Sequence, residues 1–305
     1  MKQYSIQIAG IIGICFLMLT ACSSESPADN TSEGKELVVS AEIIPSGESK
    51  AVGAATNGTD KLSFVKDDQI LITRAEKKKT YKLSQDNQWL PQTGGDDLTA
   101  DGTEQTYTAS FPHDFANIQE EQNNAAASGA LSNYEKSNKL ISEVTTASNY
   151  VPFKFSHAFS KITVIVAYKN KRKNVSAKLV GKNIRTDEAP ATTDETIQML
   201  RISPTDGTTE TVNHTFICIL NPGTSRGFTL TVSGYAVDVT PTGDAATTAT
   251  GDVVSDETYT QKAKEFNPGF NYVYNFSSND NLILTGVKVV DFEKDGADYD
   301  AGNAT

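Results

Sequence analysis

Few side chains in this sequence carry nucleophilic or metal-binding chemistry. The 305 residues include three cysteines, Cys15, Cys22 and Cys218, and three histidines, His113, His157 and His214. No two histidines are close in sequence, and none falls in an H-E-x-x-H or Cys/His pattern, so no zinc site is expected. No G-x-S-x-G elbow, P-loop or G-x-G-x-x-G turn is present, which removes the common acyl-transfer, phosphate and dinucleotide chemistries. His157 follows alternating aromatics and reads as a structural histidine at the start of a strand. Asp291-Phe292-Glu293-Lys294-Asp295-Gly296 opens like a calcium loop, with oxygen side chains at alternate positions and Gly at the sixth. A bidentate Glu is required at the twelfth position, where Gly302 stands, so the string reads as a solvated acidic tail. The chain is read as no enzyme, with no catalytic set, metal or cofactor. A glycosidase-type carboxylate pair leaves no local signature, and nothing points to one.

Cys22 is different because of what precedes it. Lys2 supplies a positive charge, and residues 6–19 then run almost wholly apolar, roughly 14 residues against the about 20 needed to span a bilayer as a helix. A basic start, a short apolar core and small residues at its end describe a secretory signal peptide, residues 1–21. Leu19-Thr20-Ala21-Cys22 resembles the bacterial lipobox. That resemblance implies that the Cys22 thiol takes a diacylglycerol, that the bond before it is cut, and that the new amino group is acylated. Several acyl chains exceed the one-chain threshold for marginal membrane binding. Cys15 leaves with the signal peptide and Cys22 is lipidated, so Cys218 has no partner for an intrachain disulfide. In its apolar run, Thr215 to Leu220, it reads as a small core residue.

The formal net charge is -11 with basic residues dispersed, which argues against nucleic acid or anionic lipid as a partner. Residues 22–36 are polar and read as a flexible tether. Beyond them, Val, Ile, Thr, Tyr and Phe cluster in short runs broken by Gly, Asn, Asp and Pro, the pattern of antiparallel β-sandwiches. Strand-like runs fall at 37–44, 69–74, 80–83, 106–111, 151–168, 175–180, 214–220, 228–239, 271–276 and 282–290. Lys77, Lys78 and Lys79 read as a hairpin tip, 119–139 as a surface loop or short helix, and 241–257 as a long loop. The expected domains are 37–150 and 151–305. Trp89 reads as a core residue.

Several segments in order resemble the fimbrillin family, lipoprotein subunits of the type V pili that some Gram-negative anaerobes carry on their outer membrane. After the lipobox and the first strand comes Phe64-Val65-Lys66-Asp67-Asp68-Gln69-Ile70-Leu71-Ile72, similar to F-x-x-G-D-x-I-x-V. Phe155-Ser156-His157-Ala158-Phe159-Ser160-Lys161-Ile162 is similar to F-x-H-A-L-S-K-I. Pro268-Gly269 with Tyr272, Tyr274 and Phe276 is similar to (A/P)-G-x-x-Y-x-Y-x-(F/L). The final 287–292 sits where the family often has a strand ending in Trp, here Phe292, and Asp67 replaces the Gly before Asp68. The resemblance implies an all-β fold of two tandem antiparallel β-sandwich domains, transthyretin-like and Greek-key, after the lipoprotein signal peptide.

It also implies a function: a structural fimbrial subunit, anchored in the outer membrane through its lipid, that takes part in cell adhesion. In polymerising fimbrillins a trypsin-like protease cuts after a basic residue in the loop following the first strand. The matching bond here is Lys50–Ala51, which an Arg-specific protease would not cut; either another protease acts or this subunit is not processed. Removing the first strand opens an edge that a neighbour's C-terminal strand fills by β-strand addition. The candidate donor strand is 282–290, with Leu282, Leu284, Val287 and Val289. The bland alternative keeps 37–44 as a permanent first strand. Partners would be other fimbrial subunits, the processing protease and a host or bacterial adhesion ligand. The rival function is a surface glycan-binding lipoprotein with tandem β domains. For the anchor, Cys22→Ala should abolish incorporation of labelled palmitate in growing cells and leave the protein out of the membrane fraction.

Overall fold

The structure, a computed structural model, describes residues 34–44, 60–128, 130–186, 193–236, 256–279 and 281–292. Strands β1 (Lys35–Glu36), β2 (Val38–Ile43), β3 (Gln69–Arg74), β4 (Lys77–Leu83), β5 (Trp89–Pro91), β6 (Thr99–Ala100) and β7 (Gln105–Phe111) come first. The short helix α1 (Asn133–Ser137), β8 (Leu140–Thr146) and β9 (Tyr150–His157) follow. Seven of these strands form one sheet in the order β2-β9-β8-β7-β3-β4-β5. All its neighbours are antiparallel except β2 and β9, which run parallel.

Period-two patterning explains the sheet. Along β9, Val151, Phe153, Phe155 and His157 turn inward while Tyr150, Pro152, Lys154 and Ser156 turn out, as a strand with one buried face requires. Ile70 and Ile72 of β3, Tyr81 and Leu83 of β4, and Tyr107, Ala109 and Phe111 of β7 close the same core. Phe64 plugs it, meeting Trp89, Phe111 and Phe155 edge-on at centroid distances of 5.3, 5.6 and 5.1 Å, the geometry that aromatic quadrupoles favour.

The second half holds β10 (Ser160–Gly181), β11 (Glu195–Gln198), β12 (Leu200–Ser203), β13 (Thr211–Leu220), β14 (Gly223–Ala236), β15 (Glu257–Phe266), β16 (Phe270–Ser278) and β17 (Leu282–Asp291). The 22-residue β10 is its spine. Its first half pairs with β13 and, in parallel, with β16, while its second half pairs with β11 and β14. Register shifts between Ala167 and Arg172 and between Lys173 and Ser176, with Asn174 at φ 53, bend it so that one strand serves both walls. The enclosed core includes Ile162, Val164, Leu179, Phe216, Leu230 and Tyr274.

Three expectations are corrected in detail and one is refined. The boundary expected near residue 150, good to about ten residues, lies a few residues before the change of sheet: Tyr150–His157 still belongs to the first sheet, because its inward aromatics close that core. The chain changes sheets at Ala158 and Phe159. The turn between β3 and β4 is Ala75-Glu76, with Ala75 at φ 50, so Lys77, Lys78 and Lys79 lie in β4 and Lys79 is buried. Residues 119–139 do hold the short helix α1, with a Ser132–Glu135 capping box, but they are not all surface. Gln122 is buried, donating to the Ile219 carbonyl and accepting from its N–H at 2.9 and 2.8 Å. Finally, the single run expected at 151–168 is two strands, parted at Ala158 and Phe159, and the separate run expected at 175–180 is joined to the second of them, because 169–174 continue β10. Phe155→Ala, at a site with no exposure, should destabilise the protein by about 3–5 kcal/mol, read from the urea midpoint.

Candidate assembly interface

The first strand is held from one side. Among the described strands β2 pairs with β9 alone, from Val38 opposite Tyr150 to Ile43 opposite Phe155. Val38 N–H donates to the Asn149 carbonyl and Ile44 N–H to the Phe155 carbonyl, each at 2.8 Å. Asn149 Nδ2 donates to the Glu36 carbonyl at 3.1 Å, and β1 adds a two-residue pairing with β6. Leu37 and Val39 are buried, with Ala41 and Ile43 packed against the same core. Fully burying such a side chain contributes about 1.5–3 kcal/mol, so β2 is seated chiefly by its apolar face. A cleft runs beside it, bounded by Ala41, Ile43, Leu62, Phe64, Leu83 and Trp89.

The motifs that carry the family resemblance are structural parts around this seat and around β16. Asp67 stands at φ 75, which explains why Gly suits the position and why Asp serves there. Lys82 donates to its carboxylate at 2.8 Å and lowers its pKa below the usual range. Asp68 accepts from Val65 N–H and from Lys61, at 2.6 and 2.8 Å, and fixes the turn into β3; burial nevertheless raises its pKa. Gly269, at φ 77, makes the turn into β16. Tyr272 Oη accepts from Asn267 N–H at 2.7 Å, and Thr163 Oγ1 donates to Asn271 Oδ1 at 2.9 Å.

The candidate donor residues lie on β17, which among the described strands pairs with β16 alone. The register shifts at Thr285: Leu282 and Leu284 oppose Ser278 and Phe276, whereas Val287 and Val289 oppose Tyr274 and Tyr272. Directly opposed residues share a face. This bulge therefore brings Leu282, Leu284, Val287 and Val289 onto one side, which an unbroken two-residue period would not. Leu282 is buried and Leu284 half-buried, while Val287 and Val289 remain 41% and 53% exposed. Cys22, Lys50 and Ala51 lie outside the described residues, as do 293–296 of the acidic string and 241–255 of the long loop.

Of the remaining chemistry-bearing groups, His113 is partly exposed, 3.8 Å from Asp114, whereas Cys218 and His214 are buried. Cys218 is fully buried, and desolvation pushes its thiol pKa far up. His214 is buried, and desolvation lowers its pKa, with a 3.2 Å contact from Nε2 to the Thr211 carbonyl. Trp89 belongs to the first core. An open concavity on the outer face of the first sheet is lined by residues such as Leu71, Thr108, Ser110, Ser142 and Lys154, with no aromatic ring among its lining residues. Among the described residues no group of three His, Cys, Asp or Glu is placed to hold a metal ion, and no helix is long and apolar enough to cross a membrane.

No family model and no curated protein sequence matches the chain. Solved structures do. A "putative cell adhesion protein" from Bacteroides ovatus is similar over 85% of this chain and 98% of its own, at 14% identity and a TM-score of 0.52. A "putative cell adhesion protein" from Bacteroides uniformis matches 75% of this chain and 93% of its own, at 12% identity and TM-score 0.45. The fimbrial anchor protein Mfa2 from Porphyromonas gingivalis matches 83% of this chain and 96% of its own, at 10% identity and TM-score 0.38. The B. ovatus structure and this chain share an all-β fold across nearly their full lengths.

Proposed function

We propose that the chain is a structural subunit of cell-surface fimbriae, made as a lipoprotein precursor and acting in adhesion. The observation that supports this best is the mode of attachment of β2, a parallel strand that fills an apolar seat yet, among the described strands, is laddered on one side only. In the proposed cycle, lipid on Cys22 holds the precursor at the outer membrane. A trypsin-like cut after Lys50 releases β1 and β2, leaving the free edge of β9 and the cleft beside Phe64 and Trp89. The same cut frees the subunit from its lipid, since Cys22 lies upstream of β2. A neighbour's β17 then enters as the replacement strand, with Leu282, Leu284, Val287 and Val289 as its inward row. Main-chain hydrogen bonds would supply affinity, and the pockets for alternate side chains register. An uncut copy would stay tethered as an anchor. The glycan-binding reading draws no support from Trp89, which is buried, or from the ring-free concavity.

Two measurements test this. N-terminal sequencing of fimbriae sheared from cells should read from Ala51, while the detergent-extracted precursor starts at lipidated Cys22. Sheared polymers starting at Cys22, or none containing this chain, would refute processing at Lys50. Separately, Val39→Asp puts a carboxylate into the apolar seat of β2. Amide exchange across Tyr150–His157 should then accelerate by about tenfold or more, corresponding to a loss of about 1.4 kcal/mol in local protection. Unchanged exchange would mean that β2 does not guard that edge.

A further inference from the structure

Between the two sheets lies a charged pair that neither proposed partner strand uses. Asp60, at the start of the segment leading to β3, and Lys161, the second residue of β10, have fully buried side chains, 0% exposed in each case. Lys161 Nζ is in direct contact with Asp60 Oδ2. Tyr134 Oη of α1 donates to the other carboxylate oxygen, Oδ1, at 2.7 Å. Lys161 Nζ also lies 3.4 Å from the Phe292 carbonyl and 5.6 Å from the centroid of its ring. On that ring stacks His157, at 3.7 Å and 11°, with Nδ1 2.8 Å from Asn138 Oδ1. Two opposite charges sealed off in this way carry a desolvation cost that the contact must offset.

We propose that Asp60 and Lys161 condense into an intramolecular isopeptide bond. The ammonium passes a proton to the carboxylate it touches, giving a neutral amine and a carboxylic acid. The amine lone pair attacks Cγ, forming the N–C bond, while the hydrogen bond from Tyr134 steadies the negative charge that gathers on Oδ1. The Cγ–Oδ2 bond breaks, and Oδ2 leaves as water with a proton from the nitrogen. Nothing is oxidised or reduced, and no co-reactant is needed. Holding amine and carboxyl in a water-poor site supplies the high effective molarity such a reaction requires. The contacts already match the product: Oδ1 stays as the amide oxygen accepting from Tyr134, and the amide N–H faces the Phe292 carbonyl. Both buried charges disappear. The bond would tie the start of β10 to the segment entering β3 and so join the two sheets covalently. It lies downstream of Lys50, within the part that cleavage retains, and it does not depend on the fimbrial reading.

The test is mass spectrometry of the full-length protein purified from cells, denatured and digested. A branched peptide containing Asp60 and Lys161, lighter than its two components by one water, is expected. Recovery of both residues only in unmodified linear peptides from the folded wild-type protein would overturn the proposal. Asp60→Asn should form the same link with loss of ammonia instead, and Lys161→Arg should show none. Tyr134→Phe should raise the unlinked fraction severalfold; an unchanged fraction would remove Tyr134 from the reaction.

Discussion

The structure depends on how an edge is covered. β9 places Phe153 and Phe155 in the first core, and its outer edge is closed by six residues of β2 running parallel to it. An uncovered edge presents unpaired N–H and C=O groups and invites another strand. Proteins that must stay monomeric usually blunt such edges with charges, bulges or prolines. Here Pro152 of β9, which has no N–H, leaves the Val151 and Phe153 side of the edge unblunted, and the cover is a short strand beside the chain's N-terminal segment. Its side chains matter as much as its hydrogen bonds, because Leu37 and Val39 complete a hydrophobic surface that also includes Trp89 and Tyr81. In the proposed cycle such an edge needs a strand, but not that particular one.

The second sheet solves a different problem. β10 must pair with four strands, and a straight strand could not curl around one core. The two register shifts and the positive φ of Asn174 bend it where Lys169, Asn170 and Lys171 stand exposed. The bulge at Thr285 does comparable work on β17, turning an apolar row with uneven spacing into one face. In both places an irregularity of backbone decides which side chains act together.

That is also where the sequence stops being readable. The alternation of β9, the apolar run that opens β10 and the core role of Trp89 follow from residue type and period, and the structure agrees with them. The turn at Ala75 carries no glycine or asparagine to announce it, so the three lysines look like a tip although they form a strand. Lys169-Asn170-Lys171 looks like a break although β10 runs through it. Gln122 is polar, and only the paired backbone groups of Ile219 make its burial tolerable. Asp67 is the converse case: a departure from the glycine that the family resemblance leads one to expect, and still legible as a turn because Asp tolerates the left-handed region.

The polar cluster between the sheets was hidden for a further reason. Asp60 and Lys161 are 101 residues apart in sequence, and each alone looks like an ordinary surface charge. His157 and Lys161 belong to the segment resembling F-x-H-A-L-S-K-I, four residues apart across the passage between sheets, and both are buried against Phe292. That segment therefore has a physical task apart from strand formation: it brings a histidine and a lysine to the end of β17 and to the segment that enters β3. If the proposed assembly holds, these are the two ends through which load would pass, one toward the proposed donor strand and the other toward the edge that β2 covers. A buried charge pair at that point resists sliding only as long as water stays out, whereas an amide would hold after water enters. The sealing of Asp60 and Lys161 in the fold is thus most useful if it is the condition for bond formation rather than the final means of attachment.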